Sequence, residues 1–290
     1  MKPSFAIVGC GKVGTALGKF LVAAGYSAIG TASKSISSAR KTADILKTAR
    51  YSDVPWEVTK TAAIVLITTP DSAIADTCNR IAENTGFKTN AVVLHCSGAL
   101  PSTILSSANR CGAFTGSIHP LQSFAADEYS SSPFEGIIVS IEGEEKALTA
   151  ARQIAVDLGA TCLTIATAAK TLYHAAAVVS SNYLVTLLEF AFRLLGEAGI
   201  SGREAFNALQ PLIAGTLSNI ERVGIPEALT GPIARGDIET VKGHLDAIEL
   251  KAPGLLALYK TLGHHTIDIA TAKGTLSEAP AQQLKRILNN

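Results

Sequence analysis

The 290-residue sequence predicts a doubly wound, mostly parallel α/β sheet followed by an all-helical C-terminal region. From Ser4 to about Ile165, short apolar runs rich in β-branched residues alternate with helix-compatible segments, which is typical of βαβ units around a parallel sheet. Strand signals stop after Ala166, and from Lys170 onwards the apolar spacing is helical. Because 47% of the residues are hydrophobic and 17% charged, the chain has ample apolar side chain to bury.

The individual elements follow from these patterns. The predicted strands are FAIVG, YSAIG, AAIVLITT, AVVLHCSG, FTGSIH, GIIVSIEG and TCLTIAT, and the predicted helices between them span residues 14–24, 37–46, 72–83, 101–110 and 144–158. Turn-forming residues at 199–202, 224–226, 231–236 and 253 divide the remainder into helices. We therefore predict two domains, 1–166 and 167–290.

Composition excludes several classes of function. With 25 basic and 24 acidic residues, the chain has no overall charge that would attract nucleic acid or an anionic membrane. The five cysteines are scattered without a CxxC pair, so we predict neither a disulfide framework nor a metal site, and a cytoplasmic location. The N-terminus enters a strand pattern at once and shows no export signal. Residues 171–188 carry no full charge, but interrupting polar residues favour a buried core helix over a membrane span.

A glycine-rich loop lies directly after the first strand. Gly9, Gly11 and Gly14 form GxGxxG at the head of a helix-compatible segment, so the backbone there can approach a pyrophosphate that faces the helix N-terminus. The spacing alone is a weak signal, but its place at the start of a βαβ pattern indicates dinucleotide binding. The predicted binding loop consists of Gly9, Cys10, Gly11, Lys12, Val13 and Gly14.

The end of the second strand indicates which dinucleotide is bound. An NAD site usually carries an acidic residue there, but residues 29–35 contain none. Ser33, Lys34 and Ser35, with Arg40 further along, offer hydroxyl groups and cations that suit a 2′-phosphate, so we predict NADP as the cofactor. The alternative is a solvated loop in which a serine caps the next helix.

Two further strands end in small and polar residues, where ligands of α/β sheets bind. Thr68, Thr69 and Pro70 follow the third clear strand and are predicted to border the nicotinamide, and Ser97 is the candidate substrate contact after the next strand. For His95 and Cys96 we favour packing. His119 either reaches the site or is a hydrogen-bonded structural histidine.

The first C-terminal helix carries a polar stripe on an apolar background. Lys170 and His174 are four residues apart, and Ser181 and Asn182 follow about three turns from Lys170. We predict Lys170 or His174 as a proton donor whose pKa burial lowers, with Asn182 orienting the substrate. The alternative is an internal hydrogen-bond network. Arg235 either binds a substrate carboxylate or lies on the surface.

The motifs GCGKVGTALGKFL, ITTPDSAI, HCSGAL, SIHPLQSF, YHAAAVVSSNYLVTL and LTGPIARGD occur in this order over nearly the whole chain. With them the sequence resembles a bacterial Rossmann-like family of unassigned function. That family is similar to the 6-phosphogluconate and β-hydroxyacid dehydrogenase superfamily, near ketopantoate reductase, pyrroline-5-carboxylate reductase and deazaflavin-dependent NADP reductases. The superfamily motif Lys-x-x-x-Asn matches Lys170 and His174, so the lysine is kept and histidine replaces asparagine.

The resemblance implies an NADP domain, a helical C-terminal domain and a homodimer built through its helices. Together with the site residues it predicts an NADP-dependent oxidoreductase that transfers a hydride to or from a small, anionic carbonyl or imine compound. The alternatives are a non-catalytic NADP(H)-binding regulator or scaffold and a helical domain that binds a deazaflavin.

Overall fold

The computed structural model describes residues 2–125 and 129–289 and contains two compact units, Met1–Asn182 and Tyr183–Asn290. The sequence places the domain boundary near residue 166, whereas the compact units divide after Asn182. The difference is the helix that begins at Lys170, because the side chain of Lys170 is buried against residues of the first unit.

The first unit is built around one sheet. Its strands are β1 (Ser4–Val8), β2 (Ser27–Ala32), β3 (Tyr51–Ser52), β4 (Ile64–Ile67), β5 (Val92–His95), β6 (Phe114–Pro120), β7 (Ile138–Gly143) and β8 (Thr161–Thr164). They lie in the order β3-β2-β1-β4-β5-β6-β7-β8, and neighbours are parallel except for the antiparallel pair β6 and β7. The prediction of a doubly wound, mostly parallel sheet is confirmed, and the two-residue β3 is an addition to it.

Helices connect these strands and form the second unit. The helices are α1 (Lys12–Ala23), α2 (Ile36–Leu46), α3 (Trp56–Thr59), α4 (Asp71–Glu83), α5 (Ser106–Arg110), α6 (Glu145–Asp157), α7 (Lys170–Ser180), α8 (Asn182–Glu197), α9 (Gly202–Val223), α10 (Ile225–Ala228), α11 (Ile238–Lys251), α12 (Leu256–Lys273) and α13 (Glu278–Asn289). The predicted breaks at 231–236 and 253 fall between helices, whereas those at 199–202 and 224–226 overlap the first residues of α9 and α10. The helical character of the C-terminal region is confirmed.

The sheet is covered on both faces. Side chains of successive strand residues point to opposite faces, so Phe5 and Ile7 of β1 join one core cluster and Ala6 and Val8 join the other. All four residues are at most 3% exposed. This two-sided burial explains why the strands read as continuous apolar runs rather than as an alternating pattern.

The segment of residues 171–188 is not the buried core helix that its composition predicts. Leu172, Val179, Tyr183 and Val185 are between 57% and 73% exposed. In the described part of the chain, one helical stretch, Thr167–Glu197, has the length and composition that a membrane crossing requires, and 6% of its most apolar window is buried. Apolar composition indicates that these side chains are to be buried but does not identify the molecule that buries them. In the single chain they are exposed.

A buried carboxylate holds the C-terminal side of the sheet to the connections around it. Glu142 of β7 is 3% exposed, and it accepts hydrogen bonds from the Ser102 backbone (2.9 Å) and hydroxyl (2.7 Å) and from the Thr167 hydroxyl (2.8 Å). Burial raises the pKa of Glu142, but these hydrogen bonds and the charge of Lys170 together lower it by more, so the net shift is downward. Glu142 is therefore ionised and joins β7 to the segment that enters α7.

Replacing Glu142 with alanine is expected to lower the free energy of unfolding by about 2–4 kcal/mol, because buried donors lose their acceptor. Chemical denaturation of the two proteins measures the change. Glu83→Ala, at an exposed position at the end of α4, is the matched control and is expected to stay within about 0.5 kcal/mol of the parent. Equal effects of the two substitutions would show that the Glu142 contacts do not stabilise the fold.

Candidate active site

The order of the strands brings four strand ends together at one edge of the sheet. β1, β4, β5 and β6 are parallel neighbours, and the residues that follow or close them include Gly9, Thr68, Ser97 and His119. Ligands of open α/β sheets bind at this carboxyl edge. The site residues predicted at the ends of separate strands therefore lie along one edge of the sheet, in the strand order β1, β4, β5 and β6.

The glycine loop is held in shape by Thr68. Gly9 has a φ of +109°, and a side chain there would come within 2.5 Å of the Thr68 backbone. A side chain at Gly14 would collide with the Gly9 carbonyl and the Thr68 hydroxyl, whereas one at Gly11 would meet no atom of the described residues within 4 Å. The Thr68 hydroxyl donates to the Gly9 carbonyl at 2.5 Å. Two glycines thus permit the close packing of the loop, and the third leaves open space in front of it.

A cleft of about 630 Å³ opens over this loop. We call it the glycine-loop cleft; its lining includes Gly9, Cys10, Gly11, Lys12, Val13, Ser33, Lys34, Thr68, Thr69 and Pro70. Among the described side chains none caps α1 at Gly11, so the N-terminus of this helix faces the cleft with its partial positive charge. The Thr69 hydroxyl is buried and has no hydrogen-bond partner among the described residues. These features fit a dinucleotide whose pyrophosphate lies at the helix N-terminus.

The four residues predicted to hold a 2′-phosphate are divided by the structure. Ser33 and Lys34 line the cleft. Ser35 instead caps α2, because its hydroxyl accepts from the Ser38 backbone at 3.3 Å, which is the alternative that the sequence left open. Arg40 is exposed on α2 and is not among the residues that line the cleft.

Sequence reasoning missed one helix face and one loop of the cleft. Ser72, Asp76 and Arg80 of α4 line it and are spaced four residues apart, so helical periodicity was an available signal. Asp53 follows β3, a strand too short to leave a hydrophobic pattern. Phe124 lies in the segment after β6. Asp53 supplies an acid that the sequence of β2 does not contain.

Ser97 is part of a tightly hydrogen-bonded turn. Its hydroxyl donates to the Asp71 carboxylate at 2.7 Å and accepts from the backbone amides of Ala99 (3.2 Å) and Leu100 (3.0 Å). The Ser97 amide donates to Nδ1 of His95 at 3.1 Å. Burial, with a contribution from the charge of Lys170, lowers the pKa of His95 to about 4, so this imidazole is neutral and can accept that bond.

Lys170 lies beneath the site. It is 1% exposed, and Nζ donates to the Ser117 hydroxyl at 2.8 Å and to the Ser97 carbonyl at 3.1 Å. Burial lowers its pKa, as predicted, while the charges of Glu142 and Asp71 oppose the shift. The ammonium group is thus directed into the sheet edge. Arg235 is exposed in the turn before α11, within the second unit.

A second cavity, of about 620 Å³, lies between the end of β6 and helix α7. We call it the histidine pocket; its lining includes His119, Gln122, Ser123, Tyr173, His174 and Asn182. His174 and Asn182 of the predicted polar stripe therefore meet in this pocket, while Lys170 is not among its lining residues. The described residues hold no cluster of three or more His, Cys, Asp or Glu that could bind a metal ion.

Gly98 sets how closely the histidines approach the β5 turn. A side chain at Gly98 would lie 2.7 Å from His174 Nδ1 and 2.8 Å from His119 Cε1 and Nε2. His174 Nδ1 is buried and has no hydrogen-bond partner in residues 2–125 and 129–289, and the two imidazole centroids are 5.9 Å apart. Because these contacts are made by rigid rings, any side chain at this position must displace them.

Gly98→Ala is expected to destabilise the protein by about 1–3 kcal/mol, because both imidazole rings must move away from the new methyl group. Chemical denaturation gives the stability, and nitrogen NMR of the histidine rings gives the displacement. Gly243→Ala is the control, since this glycine lies inside α11 and a side chain there would meet no described atom within 4 Å. This substitution is expected to raise the free energy of unfolding by about 0.5–1 kcal/mol. Unmoved ring resonances in Gly98→Ala would contradict the packing described above.

Comparison with known proteins supports the fold described above. Residues 2–120 match a Rossmann-like domain, and residues 137–266 match a domain of unknown function (DUF2520). No protein of curated function matches the chain.

Three solved structures show how widely this fold is shared. A provisionally named NADP oxidoreductase of Bacteroides fragilis is 24% identical, with a TM-score of 0.77 over 92% of this chain and 98% of that one. A Thermotoga maritima protein whose name states no activity is 27% identical, with a TM-score of 0.71 over 93% and 99%. An imine reductase from Pseudomonas sp. is 16% identical, with a TM-score of 0.63 over 96% and 100%.

The predicted resemblance is confirmed by these matches. A 3-hydroxyisobutyrate dehydrogenase of Mycobacterium tuberculosis also shares the fold over the whole of this chain, with a TM-score of 0.53. The chain thus matches a Rossmann-like domain over residues 2–120 and DUF2520 over residues 137–266, and it shares its fold with solved structures that are named as oxidoreductases.

Proposed function

We propose that the protein is an NADP(H)-dependent oxidoreductase that acts on a small carbonyl or imine compound. The observation that carries the proposal is the glycine-loop cleft. The glycine loop, the N-terminus of α1 and a Thr69 hydroxyl without a hydrogen-bond partner among the described residues all border this cleft. The bound nicotinamide would supply or accept a hydride. The names of two structural neighbours, an NADP oxidoreductase and an imine reductase, support the same class of reaction.

Each end of the dinucleotide has candidate contacts. The loop from Gly9 to Gly14 would hold the pyrophosphate, and Thr68, Thr69 and Pro70 would border the nicotinamide. Ser33 and Lys34 would contact a 2′-phosphate, and Arg80 is a further cation that lines the cleft. Asp53 is the competing group, because a carboxylate would repel a 2′-phosphate and accept from ribose hydroxyls.

The acceptor would lie in the histidine pocket. His174 and Asn182 line this pocket and would orient a small polar or anionic compound. Lys170 would act indirectly, by holding the Ser97 turn through a hydrogen bond to the Ser97 carbonyl.

All five cysteines are free thiols, which supports a cytoplasmic location for the enzyme.

The rival proposal is a regulator or scaffold that binds NADP(H) without turnover. It is favoured by one observation, the engagement of the Lys170 ammonium group with Ser97 and Ser117. Binding of NADPH without its oxidation by any small oxo acid, ketone or cyclic imine would support this regulator.

The cofactor assignment is tested by calorimetric titration with NADPH and NADH. The parent protein is expected to prefer NADPH by about tenfold, or about 1.4 kcal/mol. Lys34→Ala is expected to remove most of this preference by weakening NADPH alone, because NADH carries no 2′-phosphate for the lysine to contact.

The matched control is Arg40→Ala, which removes a cation outside the cleft and is expected to leave both affinities within about twofold. A preference for NADH in the parent would assign the ribose to Asp53 instead. Binding of neither dinucleotide would contradict the proposed function as a whole.

We further propose that the exposed apolar side chains of α8 and α9, in the second unit, are covered by a second copy of the chain. Tyr183 and Val185 of α8 are each more than half exposed, and so are Phe206, Leu212 and Leu217 of α9. Soluble proteins rarely leave such side chains uncovered in numbers, and a two-fold interface buries one patch on both partners.

Sedimentation velocity is expected to show a dimer that Val185→Glu converts to monomer, since a buried carboxylate without a partner opposes association. Val156→Glu is the control, because Val156 is 64% exposed on α6, and it is expected to leave the dimer intact. A parent protein that is monomeric in buffer, or soluble only with detergent, would contradict the dimer and in the second case indicate a membrane.

A further inference from the structure

The histidine pocket contains a pair of neighbouring side chains, His119 and Tyr173, whose contact was not predicted from the sequence. The Tyr173 hydroxyl lies 3.1 Å from Nδ1 of His119, and the two rings meet edge to face with centroids 5.8 Å apart. His119 is fixed at the end of β6, and Tyr173 belongs to the helix that Lys170 anchors to the same sheet edge. The pair is thus held by two rigid elements.

The protonation states of the pair are set mainly by burial. Burial lowers the pKa of His119 to about 4, and the nearby His174 and Lys170 lower it further while Asp71 opposes the shift. Burial raises the pKa of Tyr173, which the Ser140 hydroxyl opposes. At neutral pH the pair is therefore a neutral imidazole beside a phenol that keeps its proton.

The pair lines the histidine pocket, and one short segment of the chain borders both this pocket and the glycine-loop cleft. Gln122 and Ser123 line the histidine pocket, and the next residue, Phe124, lines the glycine-loop cleft, so one short segment borders both cavities. β4, β5 and β6 are adjacent, so Thr68 and His119 stand two strand spacings apart, or roughly 10 Å. An acceptor in the pocket would therefore adjoin the nicotinamide end of the cleft.

Two other candidates for the proton are placed less well. The Lys170 ammonium group donates into the sheet edge, and Nδ1 of His174 is buried against Gly98. The Tyr173 hydroxyl, by contrast, lies within hydrogen-bond distance of an imidazole nitrogen and belongs to a residue that lines the pocket.

We propose that Tyr173 is the proton donor of the reduction and that His119 is a positioning residue, an inference that rests on the proposed function. When a hydride from NADPH forms the new C–H bond, the π electrons of C=O or C=N move to the heteroatom. The Tyr173 O–H bond breaks, and its proton forms the new O–H or N–H bond. His119 donates from Nδ1 to the phenolate oxygen, and solvent water returns a proton to the phenolate.

The test compares two acceptors that differ in their need for a proton. In alkaline buffer 3,4-dihydroisoquinoline is a neutral imine that needs a hydride and a proton, whereas its N-methyl cation needs only the hydride. NADPH oxidation is followed for the parent, for Tyr173→Phe and for Tyr51→Phe, a control at an exposed tyrosine of β3.

Tyr173→Phe is expected to slow reduction of the neutral imine by about 100-fold and to leave the cation within about twofold. His119→Ala is expected to show the same selectivity, and the double variant no further loss, because both residues act on one step. Equal losses with both acceptors would overturn the proposal and make Tyr173 a structural residue.

A second measurement does not depend on turnover. In the cofactor-free protein, Tyr173→Phe is expected to shift the Nδ1 resonance of His119, and Tyr51→Phe is expected to leave it in place. An unmoved resonance would overturn the pair. If the parent binds NADPH but reduces neither acceptor nor any small ketone or oxo acid, the proposed function fails and the proton donor fails with it.

Discussion

The buried ammonium group of Lys170 determines where helix α7 meets the sheet. A cation without partners in such a place would cost several kcal/mol, so the hydrogen bonds to Ser97 and Ser117 and the nearby charge of Glu142 define the position of the helix. Tyr173 and His174 follow on the next turn, and both reach the pocket from that fixed start. A residue that the superfamily motif presents as catalytic thus has a clear structural task in this chain.

The site is assembled from strand ends rather than from one loop. Thr68 shapes the glycine loop, the Ser97 turn is tied to Asp71 at the start of α4, and His119 closes β6. Neighbouring strands carry these groups at a constant spacing, so the distance between a dinucleotide in the cleft and an acceptor in the pocket is a property of the sheet.

Much of this arrangement could be predicted from sequence because its signals are local. The glycine loop and the strand ends that follow it could be recognised from the spacing of the glycines and from the position of these residues after apolar runs. Asp53 could not be predicted as a cleft residue, since the two residues of β3 leave no hydrophobic pattern. Tyr173 could not be distinguished from the other apolar residues of its helix, because its partner His119 is 54 residues away in the sequence. The exposure of α7 and α8 could not be foreseen either, because hydrophobicity does not identify the molecule that covers it.

The reversal of direction between β6 and β7 affects how such a protein can diversify. Because the two strands are antiparallel, the chain leaves β6 and starts β7 at the same edge, and the residues just after β6 border both cavities. Lengthening or shortening this connection would alter the room for an acceptor without changing any strand pairing. Chains that share this sheet but differ in this connection would in this way accept different compounds while keeping the glycine loop and its strands.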